Sequence, residues 1–178
     1  MTSPTTDAST EPCRPANLPL RARPFDCVFI VVFSLFTVTS MISDMLPTLG
    51  IPFSHPSPNF FVNSNWWYAH DTDPLFLHPP VWMRLVTGLS AFVYPVFYVT
   101  LVISLVKGWN WIQLPSVIYA TMIATITGVV VFGVEFFGEP QWVTPNPLKF
   151  LAFNLPYVLL PILLLVRMRR PFPFARRF

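Results

Sequence analysis

Charged residues are scarce in this sequence of 178 residues. Asp, Glu, Lys and Arg together make up 11% of it, whereas 53% of the residues are hydrophobic. An ordinary soluble domain carries about 25% charged residues, so this shortage excludes a typical soluble fold and indicates an integral membrane protein. Four long apolar segments account for most of the chain, which leaves little for a separate soluble catalytic domain. Any site must therefore be formed by helices and the segments that join them.

Most of the basic residues fall on one predicted side of the membrane. Of the eleven Lys and Arg residues, nine flank the spans on that side, and only Arg84 and Lys149 lie near the other. The positive-inside rule then places both termini and the short turn at Lys107 in the cytoplasm, which requires an even number of spans. The arginines flank apolar segments and therefore do not indicate a nucleic-acid partner. The expected partner is the lipid bilayer.

Cysteine and glycine are also rare, with two and six residues. Cys13 and Cys27 lie in or beside the predicted cytosolic N-terminal region, where a reducing compartment disfavours a disulfide. Neither a zinc-binding spacing nor a glycine-rich phosphate loop is present, and no internal repeat is found. We therefore predict no metal and no cofactor.

The apolar segments predict an all-α protein, a four-helix transmembrane bundle with both termini cytoplasmic and an ordered luminal loop between helices 1 and 2. Each segment is long enough, at about 1.5 Å per residue, to cross a hydrocarbon core of roughly 30 Å. A disordered tail, rich in proline and poor in large apolar side chains, is expected to precede the bundle. The predicted parts are a disordered cytosolic tail at 1–24, a membrane domain at 25–168 with spans at about 25–46, 81–106, 112–137 and 148–166, and a basic cytosolic tail at 169–178.

Polar residues inside the predicted spans are grouped on single helical faces. In the first span, Thr37, Ser40 and Asp44 follow the spacing i, i+3, i+7, which turns a polar stripe inward. Glu135 stands near the far end of the third span, where an acid either turns inward or reaches water at the interface. The faces of the other spans carry Ser90, Tyr94 and Tyr98 in the second, Thr121, Thr125 and Gly128 in the third, and Asn154, Tyr157 and Pro161 in the fourth.

The connection between the first two spans, residues 47–80, is long and is therefore expected to be ordered or functional. Its centre, from Trp66 to Trp82, mixes aromatic, acidic and proline residues and predicts an ordered luminal cap over the bundle. The aromatic residues can anchor at the membrane interface or line a site, and both interpretations stay open. Asp73 precedes a proline, which is common in turns. The sequence indicates no role for His70, Asp71 and His78.

Four motifs occur in order along residues 25–168 and together resemble the EXPERA superfamily, most closely its sigma-2 receptor branch and more distantly the emopamil-binding sterol isomerases. Each motif alone would be a weak signal, but the ordered set is specific. The motifs are Asp44, then Asp73-Pro74-Leu75 with Pro79-Pro80-Val81-Trp82, then Trp111-Ile112-Gln113-Leu114-Pro115-Ser116-Val117-Ile118-Tyr119, and finally Pro156-Tyr157-Val158-Leu159-Leu160-Pro161.

The resemblance implies four helices around a pocket that opens within the membrane and receives sterols or lipophilic amines. It also implies the endoplasmic reticulum membrane, homodimers and a role in sterol or lipid homeostasis. By the same resemblance, Asp44 pairs with a ligand ammonium, Asp73 fixes the loop over the pocket and Tyr157 forms part of its wall. The predicted ligand-binding set is Asp44, Asp73, Ser40, Ser90, Tyr94, Thr125, Asn154 and Tyr157.

The chain departs from both branches of that family. Ser90 stands where sigma-2 receptors carry a glutamate, and Tyr94 lies near the position of their glutamine. Ser40 stands where the sterol isomerases place a histidine. The set of proton-transferring residues of a sterol isomerase is thus incomplete, which favours binding over catalysis.

Two functions remain open on the chemistry of the residues. An ionised carboxylate in an apolar, aromatic pocket binds a lipophilic and often cationic ligand by an ion pair with cation–π support. A protonated carboxyl in the same place donates a proton to an alkene or epoxide, and aromatic faces stabilise the carbocation. That second function is an isomerase or cyclase acting on a sterol or terpenoid, with Asp44 and Asp73 as catalytic acids and Glu135 as a third acid.

Overall fold

A computed structural model describes residues 17–175, and these form an all-α bundle. Four of its helices are long and apolar enough to cross a membrane, which confirms the predicted fold class. Their ends lie within two residues of the predicted spans. The side of the membrane on which each end lies stays a prediction. The helices are α1 (Pro24–Thr48), α2 (Phe60–Asp71), α3 (Val81–Lys107), α4 (Asn110–Phe137) and α5 (Pro147–Arg167), of which α2 is the short one.

Proline, asparagine and glycine set the helix boundaries. Pro24 and Pro147 occupy first helical positions, where the missing N–H costs nothing. The Asn59 side chain caps α2 by accepting from the backbone N–H of Phe61 at 2.9 Å. Gly108 ends α3 in the left-handed conformation, with φ at 71°, which a residue with a Cβ rarely adopts.

Two spans contain a wide π-helical turn, Leu89–Val93 in α3 and Ile126–Val131 in α4. Such turns hold one residue more than an α-helical turn and often occur at functional sites. Pro95 comes just after the first of them, where the preceding helical hydrogen bonds are already rearranged. The remaining helical parts are Val81–Gly88 and Tyr94–Lys107 in α3, Asn110–Ile112, Gln113–Thr125 and Phe132–Phe137 in α4, and Pro147–Asn154 and Pro156–Arg167 in α5.

An aromatic core fills the half of the bundle nearer the termini. Phe33 and Tyr98 are fully buried, with ring centroids 5.4 Å apart, and Tyr119 packs edge-on against both. The Tyr98 and Tyr119 hydroxyls hydrogen-bond each other at 3.0 Å, so the two polar groups satisfy one another inside the core. Packed aromatic side chains therefore fill this half of the bundle.

The chain segments next to the termini are packed together, which differs from the predicted tails. The backbone N–H of Leu18 donates to the Phe174 carbonyl at 2.8 Å, and the Asn17 side chain donates to the Gly108 carbonyl at 2.8 Å. Phe174 is fully buried. The first segment, residues 17–24, was predicted to be a tail from its prolines and the second, residues 169–175, from its arginines, because the contacts that hold them are made with residues far away in the chain. The remainder of the predicted N-terminal tail, residues 1–16, lies outside the described residues.

A buried ionic cluster joins the start of α1 to the end of α5. Asp26 is fully buried and is bonded both to Arg23 and to Arg167, whose Nε lies 2.8 Å from Oδ1. Both guanidinium groups lie against the Phe174 ring, 4.7 Å and 5.2 Å from its centroid. Arg23 also donates to the Leu105 carbonyl at 2.9 Å, so the cluster reaches α3 as well.

Asp26→Ala should destabilise the bundle strongly. The change removes the only acid bonded to two arginines within residues 17–175, and breaking a buried pair in this way costs about 3–5 kcal/mol. Thermal unfolding in detergent measures the loss. Asp71→Ala is the matched control because it removes an equal charge from an exposed ion pair with Lys149. Equal melting temperatures for the two variants would contradict the importance of the cluster.

Candidate functional site

A cavity of about 430 Å³ occupies the other half of the bundle, beneath α2. All four spans, α2 and the segment that follows α2 contribute to its walls. Its size lies within the range of about 300–1,000 Å³ that is usual for small-molecule sites. Most of the surface that faces the cavity is apolar, although polar side chains make up about half of the lining residues. The cavity brings together seven residues of the predicted site, Ser40, Asp44, Asp73, Ser90, Tyr94, Asn154 and Tyr157.

Asp44 supplies the acid on the α1 wall. It lies one turn beyond Ser40 and is half-buried because its side chain lines the cavity. Ser90, on the wide turn of α3, lines the same cavity as Asp44. The wide turn packs against α1, the helix that carries this acid.

Asp73 supplies a second acid from above the cavity. It is 1% exposed and follows α2 directly. The Tyr68 hydroxyl donates to its Oδ2 at 3.2 Å, and the Asn154 side chain donates to the Tyr68 hydroxyl at 2.8 Å. The aspartate, α2 and α5 are therefore joined by one chain of hydrogen bonds. Burial raises the pKa of Asp73 above its ordinary value, because the charged form loses hydration.

Glu135 is fully buried and is not among the residues that line the cavity. Its backbone carbonyl accepts from the Thr144 N–H at 3.0 Å, and within residues 17–175 both of its carboxyl oxygens are buried without a hydrogen-bond partner. The alternative in which Glu135 reaches water at the interface does not hold. The residue turns inward.

Thr125 is the one predicted binding residue that lies away from the cavity. Its side chain is exposed, whereas Ile123 and Thr127 on the same helix line the cavity wall. A residue two positions from Ile123 is rotated by about 200° around a helix, so Thr125 faces outward. The spacing of the small and polar residues on α4 predicted that Thr125 faces inward. Not all of these residues point inward, so the prediction for Thr125 is wrong.

The cavity opens sideways between α1 and α5. Thr39, Ile42 and Phe153 line it and are nevertheless exposed, which marks the opening. Across that gap, the Thr39 hydroxyl lies 2.8 Å from the Tyr157 hydroxyl, and the Phe36 ring stacks on Tyr157 at 4.2 Å. A ligand could thus reach the site from the surrounding lipid without crossing the terminal half of the bundle.

Sequence reasoning did not single out Tyr68, Asn65 or Phe76, which line the cavity from α2 and the segment after it. The sequence does contain a signal for two of them, because Asn65 and Tyr68 lie three residues apart and would share one face of a helix. The sequence predicts a loop for this segment, so the helical spacing within it carries no weight in that prediction. We call residues 59–80, which contain these side chains and Asp73, the lid.

Three further polar residues of the lid, which are His70, Asp71 and His78, do not line this cavity. His70 stacks on Trp66, with ring centroids 4.8 Å apart. Asp71 pairs with Lys149 at the start of α5 and so ties α2 to the bundle. His78 lines a second cavity of about 300 Å³ that also contacts Arg84. Within residues 17–175, no group of three His, Cys, Asp or Glu side chains could hold a metal ion.

The family model described as EXPERA (EXPanded EBP superfamily) matches residues 60–168. The chain belongs to the EXPERA superfamily. Its match runs from the lid to the end of α5, so it includes Asp73, Ser90, Glu135 and Tyr157 but not α1 with Asp44. The EXPERA frame therefore accounts for three of the four spans and for the lid.

Two curated relatives carry the name Sigma intracellular receptor 2. The receptor of Xenopus tropicalis is 28% identical over 111 residues, which cover 58% of this chain and 64% of that relative. The receptor of Macaca fascicularis is 30% identical over 124 residues, which cover 64% of this chain and 70% of that relative. The chain thus spans slightly less than two thirds of the Xenopus protein. These matches agree with the likeness to the sigma-2 branch of EXPERA proteins.

The stability of this EXPERA protein should depend on pH through Asp73. Because its pKa is raised, the folded protein keeps the proton over a range in which the unfolded chain has lost it, so stability falls as pH rises from 3.8 to about 6. Asp73→Asn should flatten this part of the curve, as measured by thermal unfolding in detergent at a series of pH values.

Asp71→Asn is the control, since Lys149 lowers the pKa of the exposed Asp71. Its contribution is present above the ordinary aspartate pKa and is lost as pH falls below it, so its removal alters the curve in the opposite sense and at lower pH. A curve for Asp73→Asn that runs parallel to the wild type between 3.8 and about 6 would refute the role given to its burial.

Proposed function

We propose that this protein binds a sterol or a related lipophilic ligand, often a cationic one, in the cavity beneath the lid. The observation that carries the proposal is an apolar cavity, open towards lipid, that holds the acid Asp44 beside aromatic rings. Apolar walls with a few placed polar groups are the usual design of a small-molecule site. The family and the sigma receptors among its members support the same function.

Asp44 is the residue we assign to a ligand ammonium. Inside a low-dielectric cavity, a charge-assisted hydrogen bond between a carboxylate and an ammonium is roughly twice as strong as a neutral one. The rings of Tyr94 and Tyr157 line the same cavity and can add cation–π attraction. The acid and the rings together fit an amine carried on an apolar body.

Tyr94 offers a contact for a neutral polar group such as a sterol hydroxyl. Its hydroxyl is buried and has no hydrogen-bond partner within residues 17–175. A buried polar group left unpaired costs about 1–3 kcal/mol, so a ligand that pairs with it gains affinity. The cavity therefore suits both amines and hydroxylated lipids.

The biological setting is proposed from the family. We place the protein in the endoplasmic reticulum membrane, with a role in sterol or lipid homeostasis, and we expect homodimers. The distribution of arginines supports cytoplasmic termini, which would put the lid in the lumen.

Asp44→Asn should weaken binding of a radiolabelled lipophilic amine by tenfold or more, because the neutral amide leaves the ammonium without a counter-charge. Tenfold corresponds to about 1.4 kcal/mol. Asp71→Asn serves as the matched control, since it removes the same charge from the protein surface. Affinity for a neutral sterol should change less than affinity for the amine. Undiminished amine binding by Asp44→Asn would exclude this residue as the counter-charge.

A second candidate function is that of an isomerase or cyclase for a sterol or terpenoid. The observation that favours it is that two acids, Asp44 and Asp73, line one apolar cavity together with the aromatic rings of Phe153 and Tyr157. A protonated acid there could start carbocation chemistry, and the rings would stabilise the cation. The serine at positions 40 and 90 leaves fewer acid–base groups than the sterol isomerases use.

For the enzyme, microsomes that contain the wild-type protein should convert candidate sterols or terpenoids, and Asp44→Asn should abolish the product while protein abundance stays unchanged. Mass spectrometry of extracted lipids measures product and bound ligand in the same samples. Full turnover by Asp44→Asn would rule out the proposed chemistry. Ligand recovered unchanged from the wild type, and lost from the variant, is the result expected for a binding protein.

A further inference from the structure

Ser40 of α1 and Tyr94 of α3 lie at the same level of the bundle. The two helices run antiparallel, and a hydrogen bond of 2.9 Å from the Thr48 hydroxyl to the Thr87 hydroxyl joins their ends nearer the lid. Ser40 lies about two turns before Thr48, and Tyr94 lies about two turns after Thr87. Both residues line the cavity at the end that borders the aromatic core, and we call this end the floor.

Ser40 is 2% exposed, and its hydroxyl has no hydrogen-bond partner within residues 17–175. Other hydroxyls of α1 behave differently, because Ser34 and Thr37 donate to the backbone carbonyl one turn earlier, at 2.7 Å and 2.8 Å. That bond is the usual way in which a serine or threonine is satisfied inside a helix. Ser40 does not form it, so its hydroxyl is free to bond a group in the cavity.

All five tyrosines of the sequence lie within residues 17–175, and Tyr94 is the one whose hydroxyl has no hydrogen-bond partner there. The ring of Tyr94 packs edge-on against Tyr119, with centroids 5.2 Å apart, so the aromatic core sets its position. The other four hydroxyls are bonded to side chains of the protein, and they belong to Tyr68, Tyr98, Tyr119 and Tyr157. The Tyr94 hydroxyl is therefore held in place by packing and stays free for a ligand.

Two unpaired hydroxyls at one end of an apolar cavity match a ligand hydroxyl, because such a group both donates and accepts. A buried polar group without a partner costs free energy, and a ligand oxygen that bonds both residues removes that cost. We propose that Ser40 and Tyr94 form a subsite at the floor of the cavity that binds the hydroxyl of a sterol or a similar neutral lipid. The inference rests on the proposed function and deepens it, since neutral ligands then depend on a subsite distinct from Asp44.

The subsite determines how a ligand lies in the cavity. Asp44 is one turn, about 6 Å, nearer the lid than Ser40. A neutral alcohol lies with its hydroxyl at the floor and its apolar body directed towards the lid and the side opening, whereas an amine is held at Asp44. A ligand that carries a hydroxyl and an amine about 6 Å apart would engage both groups.

Cholesterol and cholestene, which has the same skeleton without the hydroxyl, measure the subsite in the purified protein in detergent. Tyr94→Phe and Ser40→Ala should each weaken binding of cholesterol about fivefold, the effect of losing one neutral hydrogen bond, and should leave binding of cholestene nearly unchanged. Tyr98→Phe is the matched control, because it removes the same atom one turn away and outside the cavity lining. Equal losses for the two probes, or undiminished cholesterol binding by both variants, would overturn the proposal.

A lipophilic amine as a third probe separates the floor from Asp44. Tyr94→Phe keeps the ring and its cation–π face, so amine binding should change by less than about twofold. Asp44→Asn should weaken binding of the amine and keep the preference for cholesterol over cholestene. A loss of amine binding in Tyr94→Phe as large as its loss of cholesterol binding would contradict a separate subsite for the hydroxyl.

Thermal unfolding of the delipidated protein gives a readout that does not depend on binding. Because the hydroxyls of Ser40 and Tyr94 are buried and unpaired, Ser40→Ala and Tyr94→Phe should leave the melting temperature unchanged or raise it. Tyr98→Phe breaks the bond to Tyr119 and should lower it. An equal decrease in Tyr94→Phe and Tyr98→Phe would show that the Tyr94 hydroxyl is bonded within the fold, which refutes the subsite.

The wild type distinguishes failure of the subsite from failure of the proposed function. If it binds neither cholesterol nor the amine, the proposed function fails and the subsite fails with it. If it binds both, and Tyr94→Phe and Ser40→Ala bind cholesterol as tightly as the wild type does, the subsite alone is refuted.

Discussion

The bundle depends on how acids are held among its apolar helices. Asp26 binds two arginines and joins the ends of α1 and α5. Asp73 accepts a hydrogen bond from Tyr68 of α2, whose hydroxyl in turn accepts one from Asn154 of α5. The partners of these two acids belong to different elements, so the contacts that offset the cost of burying a carboxyl group also fix the arrangement of the helices.

The two halves of the bundle use these contacts differently. The terminal half combines ion pairs with a packed aromatic core, so opening it would expose both charges and rings. The lid half is held by a smaller hydrophobic cluster around Leu75 and Phe150, by hydrogen bonds such as that from Asn154 to Tyr68, and by the exposed pair of Asp71 and Lys149. Surface pairs contribute little to stability, so this exposed pair adds less to the lid half than the buried ionic cluster adds to the terminal half.

The four spans could be predicted closely because length and hydropathy decide them. The inward stripe of α1 was also predictable, since Ser40 and Asp44 lie on one helical face. Thr125 was misplaced because polar spacing alone does not fix which face of α4 meets its neighbours. The helical lid and the burial of Glu135 depend on contacts between residues far apart in the chain, such as that of Thr144 with Thr72, and those became visible only in the structure.

A change in the length of the wide turn at Leu89–Val93 would change the shape of the ligand cavity and leave the rest of the fold in place. A π-helical turn amounts to one inserted residue, and the helix on either side keeps its ordinary hydrogen bonding. The position of Ser90 in the cavity wall therefore depends on local chain length as well as on residue type. Insertion or deletion of one residue there would reshape one wall of the cavity while the lid, the terminal ionic cluster and the helix crossings stayed in place.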